Sequence, residues 1–270
     1  MFKRKINITR IKRSEIQKTH DSILVERPID LFVNYEPLAN IICLPKDLKE
    51  LAIGFLYSIG IIDSINDLKK IKINELNNCI YVDLNNSIDF KIQNLDINPI
   101  SRVIDTTCGL SSPWRKIIKK ALKDSKESIK SKEDLKISSE IIYSSMKKMQ
   151  RETILFRETG GCHGAAIFDV NGHLLECKED IGRHNAIDKV IGEAILKRQS
   201  LNKVFLTSTG RLTGDSVLKA IRAKIPIIAS LSAAIESGIR LAYAYGITLI
   251  GFVRGARMNI YSHPERIVVI

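Results

Sequence analysis

The sequence predicts an α/β protein built from two units, a small α+β unit at the amino terminus and an α/β/α unit at the carboxyl terminus. Strand-like and helix-like runs alternate from residue 204 to residue 252, as in a parallel sheet with crossover helices. Short β-prone runs and one amphipathic helix occupy the first hundred residues. Between the units, residues 101–136 lose hydrophobic periodicity and become rich in lysine and serine. The expected division is residues 1–104, a connecting loop and basic linker at 105–136, and residues 137–270. A chain of 270 residues with 44% apolar content can fill such cores.

In chain order, Ile23–Val25, Leu31–Tyr35 and Ile41–Leu44 read as short strands, with turns at Arg27-Pro28 and Glu36-Pro37. Asp47 followed by Glu50 has the spacing of a capping box. Leu48, Leu51, Ala52, Phe55, Leu56 and Ile59 then share one helical face until Gly60, so this helix is expected to pack on the sheet. Ile80, Val82 and Leu84, then Ile88, Phe90 and Ile92, alternate around Asn85-Asn86 as a hairpin. Ser101 to Lys136 reads as a mobile connection. Ser138 is positioned to cap a helix striped by Ile142, Met146 and Met149. A strand at Thr153–Phe156 is expected next, then a hairpin of Ala165–Val170 and His173–Cys177 turning at Asn171-Gly172, then a helix from about Arg183. The alternating series follows: a strand at Val204–Thr207, a helix to Ala223, a strand at Ile227–Ser230, a helix from Ser232 to about Tyr245, and a strand at Thr248–Phe252.

The cationic segment from Met1 to Lys18 lacks the apolar stretch of an export signal, and Leu51–Ile62 and Ile225–Ile235 are too short to cross a bilayer. A soluble, cytoplasmic protein with no membrane partner is expected. The five cysteines, Cys43, Cys79, Cys108, Cys162 and Cys177, have neither a disulfide-framework pattern nor zinc-site spacing, so reduced thiols and no metal ligands are expected. A net charge of +12, concentrated partly in Lys3–Lys18 and Arg115–Lys136, favours an anionic partner. A phosphorylated cofactor, an acidic protein surface and nucleic acid all satisfy that charge.

In an open α/β sheet, ligands bind beyond the carboxyl ends of the parallel strands. Here those ends carry Ser208-Thr209-Gly210-Arg211, Ser230-Leu231-Ser232, and, after Phe252-Val253, the run Arg254-Gly255-Ala256-Arg257. Small residues let backbone N–H groups approach phosphate, hydroxyls add donors, and arginines make two-pronged contacts. Gly161, beside Cys162 and His163, lies in a glycine-rich loop that reads equally as a bend or as a ligand contact. Arg183, His184 and Asn185 cluster at a helix start, whereas Asp188 and Lys189 read as a solvated face. Cys108, beside Gly109 and upstream of many cations, has a setting that favours thiolate, while Cys43, Cys79 and Cys177 read as small buried groups in strands.

Several blocks resemble the FdhD family of formate dehydrogenase accessory proteins. They are Glu26-Arg27-Pro28, Pro45-Lys46-Asp47, Glu50 to Leu56, Thr159 to His163, Glu179 to Ala186, Gly210-Arg211 and Gly251 to Arg254. The resemblance implies a sulfur carrier that takes persulfide sulfur from a cysteine desulfurase and passes it to the molybdenum or tungsten bis-molybdopterin guanine dinucleotide cofactor of formate dehydrogenase. It implies Cys108 as the persulfide carrier, Phe252 to Arg257 as cofactor-binding, and a homodimer. The cofactor set inferred with it includes Gly161, His163, Arg183, His184, Asn185, Thr209, Gly210, Arg211 and Ser232. In one departure, the family's Cys-x-x-Cys reads Cys108-x-x-Ser111 here.

The second unit also resembles the cytidine deaminase fold without its zinc motif, since His184-Asn185-Ala186 and Ser208 to Arg211 stand where H-x-E and the cysteine pair would be. Two rival readings stay open: a cofactor-binding chaperone that transfers no sulfur, and nucleic-acid binding by the basic segments. The second is disfavoured by the lack of interleaved aromatic residues.

Overall fold

The computed structural model describes residues 2–85, 103–104, 116 and 135–269. It opens with a two-stranded antiparallel ribbon, β1 (Lys3–Lys12) and β2 (Glu15–Leu24). Only Ile23–Val25 was legible as strand, because charged and polar residues occupy both faces of the ribbon and no period-two signal develops.

The amino-terminal sheet runs in the order β5 (Leu68–Asn74), β6 (Cys79–Leu84), β3 (Arg27–Val33), β4 (Glu36–Cys43), β7 (Val103–Ile104). Pro28 and Pro37 lie inside strands, and the expected turns move to Asn34-Tyr35, both at positive φ. The hairpin partner of β6 is β5, upstream of it; Ile88, Phe90 and Ile92 lie outside the described residues. Helix α1 (Leu48–Ile59) has no capping box. Asp47 adopts a left-handed conformation, and its carboxylate accepts instead from Lys178 Nζ at 3.3 Å.

The carboxy-terminal unit is a six-stranded sheet in the order β10 (Leu174–Asp180), β9 (His163–Asp169), β11 (Val204–Ser208), β12 (Ile227–Ser230), β13 (Thr248–Arg254), β14 (Arg257–Ser262). The expected parallel series holds, since β12 pairs in parallel with both β11 and β13. The connecting helices are α4 (Arg183–Leu196), α5 (Gly214–Arg222) and α6 (Glu236–Tyr245), while α2 (Ser139–Glu152) covers the opposite face. Ser138 caps α2 by accepting from Glu140 N–H at 3.2 Å. Short strands β8 (Ile137–Ser138) and β15 (Ile267–Val268) pair beside it.

Two expectations in this unit are corrected. Thr153–Phe156 is not a strand but leads into helix α3 (Ile154–Thr159), whose first turn is held by Glu179. That carboxylate accepts from the N–H groups of Leu155 at 3.1 Å and Phe156 at 2.7 Å, a cap supplied from β10 that no local pattern announces. Helix α6 begins four residues after Ser232, because Leu212 N–H donates to the Ala233 carbonyl at 2.9 Å and the Leu212 carbonyl accepts from Ile235 N–H at 3.0 Å, which holds residues 232–235 extended.

One buried cluster joins the two units. Helix α1 is buried on both faces, Ile53, Gly54 and Tyr57 as well as its leucines, because α4 lies across it. The helices meet at glycines. A Cβ at Gly54 would collide with the Asp188 carbonyl oxygen, and one at Gly192 with that of Glu50. Gly54→Ala and Gly192→Ala should therefore each destabilise the protein by about 1–3 kcal/mol, as overpacking does, read as a lower urea midpoint. Gly255→Ala, with open space around the position, should lose no more than about 1 kcal/mol, from its positive φ alone.

Candidate functional site

The carboxyl ends of β11, β12 and β13 form one edge of the larger sheet, and antiparallel β9 starts at the same edge. His163, the first residue of β9, is half-buried there, with Nδ1 3.0 Å from Thr209 Oγ1. Thr209 is fixed from both sides: its hydroxyl accepts from Gly164 N–H at 3.1 Å, and its own N–H donates to the Gly164 carbonyl at 3.0 Å. With the Thr209 proton directed to Nδ1, a neutral His163 ring keeps an Nε2–H for an incoming acceptor. Burial depresses the His163 pKa, and the cations Arg183 and Arg211 depress it further, against Asp180. The edge is electropositive at this point.

Gly210 is required by close approach, since a Cβ there would lie 2.7 Å from Cβ of Arg183, whose stem rests on the loop. Behind the loop, Gly210 N–H donates to Ser208 Oγ at 3.1 Å, and Ser230 Oγ lies 2.6 Å from the Gly210 carbonyl oxygen while accepting from Ser232 N–H at 3.0 Å. Ser208 and Ser230, which the sequence placed in the ligand-facing strand-end runs, are instead buried supports just inside the strand ends. Ser232 accepts from Phe252 N–H at 3.0 Å. Phe252 has φ 53°, and the Arg254 guanidinium lies 5.5 Å from its ring centroid while Nε donates to the Leu231 carbonyl at 3.0 Å. Gly255 and Ala256 form the turn that brings Arg257 opposite Arg254, and all four are exposed.

The edge thus gathers His163, Thr209, Gly210, Arg211, Ser232, Phe252, Arg254 and Arg257, with Arg183 behind. Not every candidate joins them. Val253 is buried in the core under α2, and Gly161 sits against Leu24 of the ribbon. Asn185 is turned inward, its Nδ2 donating to the Ile42 carbonyl at 2.9 Å and to Asp180 Oδ1 at 3.0 Å. His184 is buried at the same helix entrance.

Asp188 and Lys189, expected on a solvated face, are buried, and the reason is mutual neutralisation. Lys189 Nζ is 2.6 Å from Asp180 Oδ2 and donates to the Leu44 carbonyl at 3.1 Å, while Asp180 accepts from Leu44 N–H at 3.1 Å. Asp188 receives Lys219 Nζ at 2.6 Å and Ser58 Oγ at 2.7 Å. Burial pushes the Asp188 carboxyl up, opposed by Lys219 and then Ser58.

Burial also pushes three thiols up, away from reactivity: Cys43 strongly, Cys162 and Cys177 to about 12. Cys79 is buried in β6. Cys108 and Ser111 lie outside the described residues. Among the described residues no cluster of His, Cys, Asp or Glu is arranged to hold a metal, and no helix is long and apolar enough to cross a membrane. A hollow of about 250 Å³ between Phe2, Lys46, Leu155 and Cys177 lies at the root of the ribbon rather than on the sheet edge. Its wall mixes both signs of charge, with Lys178 bound to Asp47.

The FdhD/NarQ family model matches residues 24–268. The chain belongs to the FdhD/NarQ family. A Saccharolobus solfataricus protein named sulfur carrier protein FdhD is 38% identical over 268 residues, covering 98% of each chain. The Bacillus subtilis protein of the same name is 35% identical over 262 residues, covering 97% of this chain and 96% of its own. A solved structure from Desulfotalea psychrophila, described as that of a formate dehydrogenase accessory protein, superimposes with a TM-score of 0.76 at 28% identity, covering 99% of this chain and 100% of that one. The mixed α/β architecture is therefore shared with that accessory protein.

The depressed His163 pKa gives a signed expectation. The unfolded ring takes a proton near pH 6.5 and the folded ring only at lower pH, so the unfolded state binds more protons across that interval. The stability associated with the neutral ring is complete above about pH 6.5 and is lost as pH falls toward the folded value. Urea unfolding at pH 7.0 and 5.5 should show a larger drop for the native chain than for His163→Gln; equal drops would place the pH dependence elsewhere.

Proposed function

We propose that the chain is a sulfur carrier serving formate dehydrogenase. Cys108 takes sulfane sulfur from a cysteine desulfurase, and the strand-end edge holds the cargo, a molybdenum or tungsten bis-molybdopterin guanine dinucleotide, for delivery to the formate dehydrogenase catalytic subunit. The observation that carries this reading is the edge itself. It offers a neutral imidazole donor, a fixed threonine and exposed arginines at the ends of β11 and β13, a donor set suited to phosphates. The names of the relatives supply the sulfur-carrying class.

In the loading step the Cys108 thiolate attacks the terminal sulfur of the donor's persulfide. The donor's S–S bond breaks, its cysteine leaves as thiolate, and the sulfur moves without net oxidation. One thiol suffices, so Ser111 does not block loading. Strand β7 pairs in parallel with β4, bringing Ile104 beside Ile41, one residue before the carbonyl that Asn185 holds. Arg211, Arg254 and Arg257 would bind and orient the cargo's phosphates, with His163 donating from Nε2. The finer fold reading is a deaminase-like layer arrangement without the zinc motif, and the assembly is read as a homodimer.

Ser111 favours a second reading, a chaperone that binds the cofactor without moving sulfur. Intact-mass measurement after incubation with cysteine and a cysteine desulfurase separates the two. A reductant-sensitive gain of about 32 Da, absent from Cys108→Ala, is expected. No gain, with the desulfurase active on another acceptor, would leave the chaperone.

A further inference from the structure

We propose that the β1–β2 ribbon is the docking arm for the protein that donates sulfur, receiving an acidic, extended segment of that protein along its open edge. This rests on the sulfur-carrier reading and adds the means by which the donor is recognised.

Among the described residues, β1 and β2 pair only with each other, over ten residues each. At about 3.3 Å per residue each strand is about 33 Å long. Two strands without a covering layer are marginal in water, and a third strand completes the minimum stable sheet. Residues 9–18 are exposed without exception, including Ile11 and Ile16, which face each other across the ribbon at 69% and 74% exposure. The same stretch carries Arg10, Lys12, Arg13 and Lys18 against Glu15. Open backbone edges, an apolar pair and a strong positive charge together suit an extended acidic peptide. The ribbon contains no Phe, Tyr or Trp between Lys3 and Leu24, so it offers no platform for stacking nucleic-acid bases. The positive charge of the whole chain disfavours a second copy as the occupant.

The root of the arm connects it to the site. Val25 N–H donates to the Phe2 carbonyl at 3.0 Å, Lys3 Nζ meets Glu158 at 2.8 Å, and Leu24 lies against Gly161, two residues before His163. A protein seated on the ribbon is therefore anchored beside the edge without covering it. That arrangement suits the donor, because loading Cys108 does not require the cargo to leave. The recipient enzyme must take the cargo from the edge and so must reach the edge itself.

The test uses the full chain and two sulfur sources, a cysteine desulfurase with cysteine and inorganic polysulfide, which needs no docking. The quadruple variant R10E/K12E/R13E/K18E should load at least tenfold more slowly from the desulfurase and at the native rate from polysulfide. The neutral variant R10Q/K12Q/R13Q/K18Q should fall between them, and native loading from the desulfurase should slow as salt rises. Unchanged desulfurase loading in both variants would overturn the arm. So would equal loss from both sources, which marks general damage. Binding of a mixed-sequence DNA duplex that the charge reversal abolishes, with desulfurase loading intact, would reassign the ribbon to nucleic acid. Failure of the native chain to load from either source would remove the sulfur-carrier reading on which the proposal rests.

Discussion

The arrangement of the molecule depends on a buried polar joint between its two units. Asp180 and Lys189 are fully buried 2.6 Å apart, and Asp188 and Lys219 nearly so at the same distance. Their side chains bind backbone as well as each other: Lys189 and Asp180 take the carbonyl and N–H of Leu44, and Asn185 takes the carbonyl of Ile42. The end of β4 belongs to the amino-terminal sheet but has its hydrogen bonds completed by residues of the other unit. Desolvation offsets much of the attraction in such buried pairs. Their contribution here is to fix one arrangement, because any other would leave charges and backbone groups buried without partners.

This joint sets the geometry of the edge. Asp180 Oδ1 accepts from Gly182 N–H at 2.8 Å and from Asn185, which orients the first turn of α4. That turn presents Arg183, whose stem occupies the space left by the missing side chain of Gly210. Arg183 in turn contributes to the field that keeps His163 neutral. The contact between α1 and α4 at Gly54 and Gly192 closes the same joint from the apolar side. The polar residues between Asp180 and Lys189 thus divide into two kinds, along a line other than the one the sequence suggested. Arg183 supports the edge, whereas Asp180, Asn185, Asp188 and Lys189 hold the units together.

Much of the fold was legible because its strongest signals are local. Val204 to Phe252 alternates between continuous apolar strands and amphipathic helices, and those elements occur in the expected order. The failures were nonlocal. The cap of α3 comes from Glu179 on β10, the extension of residues 232–235 comes from Leu212, and the burial of Asp188 and Lys189 comes from Lys219 and Asp180. A charged helical face read alone is indistinguishable from a solvated one, because its neutralising partners lie on other elements. The strand-end loops were legible for the opposite reason: topology places them at the edge whatever their side chains do. Val253, next to Phe252 and Arg254, shows the limit of reading a contiguous run as a site, since alternation sends it into the core.

The central claim is that the strand-end edge holds the guanine nucleotide ends of a cofactor. Calorimetric titration of the full chain with GDP, a soluble fragment of that cofactor, tests it most directly. The account predicts saturable binding that Arg254→Ala weakens by about tenfold or more, the loss of one charged hydrogen-bonding group, and that Cys108→Ala leaves unchanged. Absence of saturable binding, or binding indifferent to Arg254→Ala and Thr209→Val together, would contradict it.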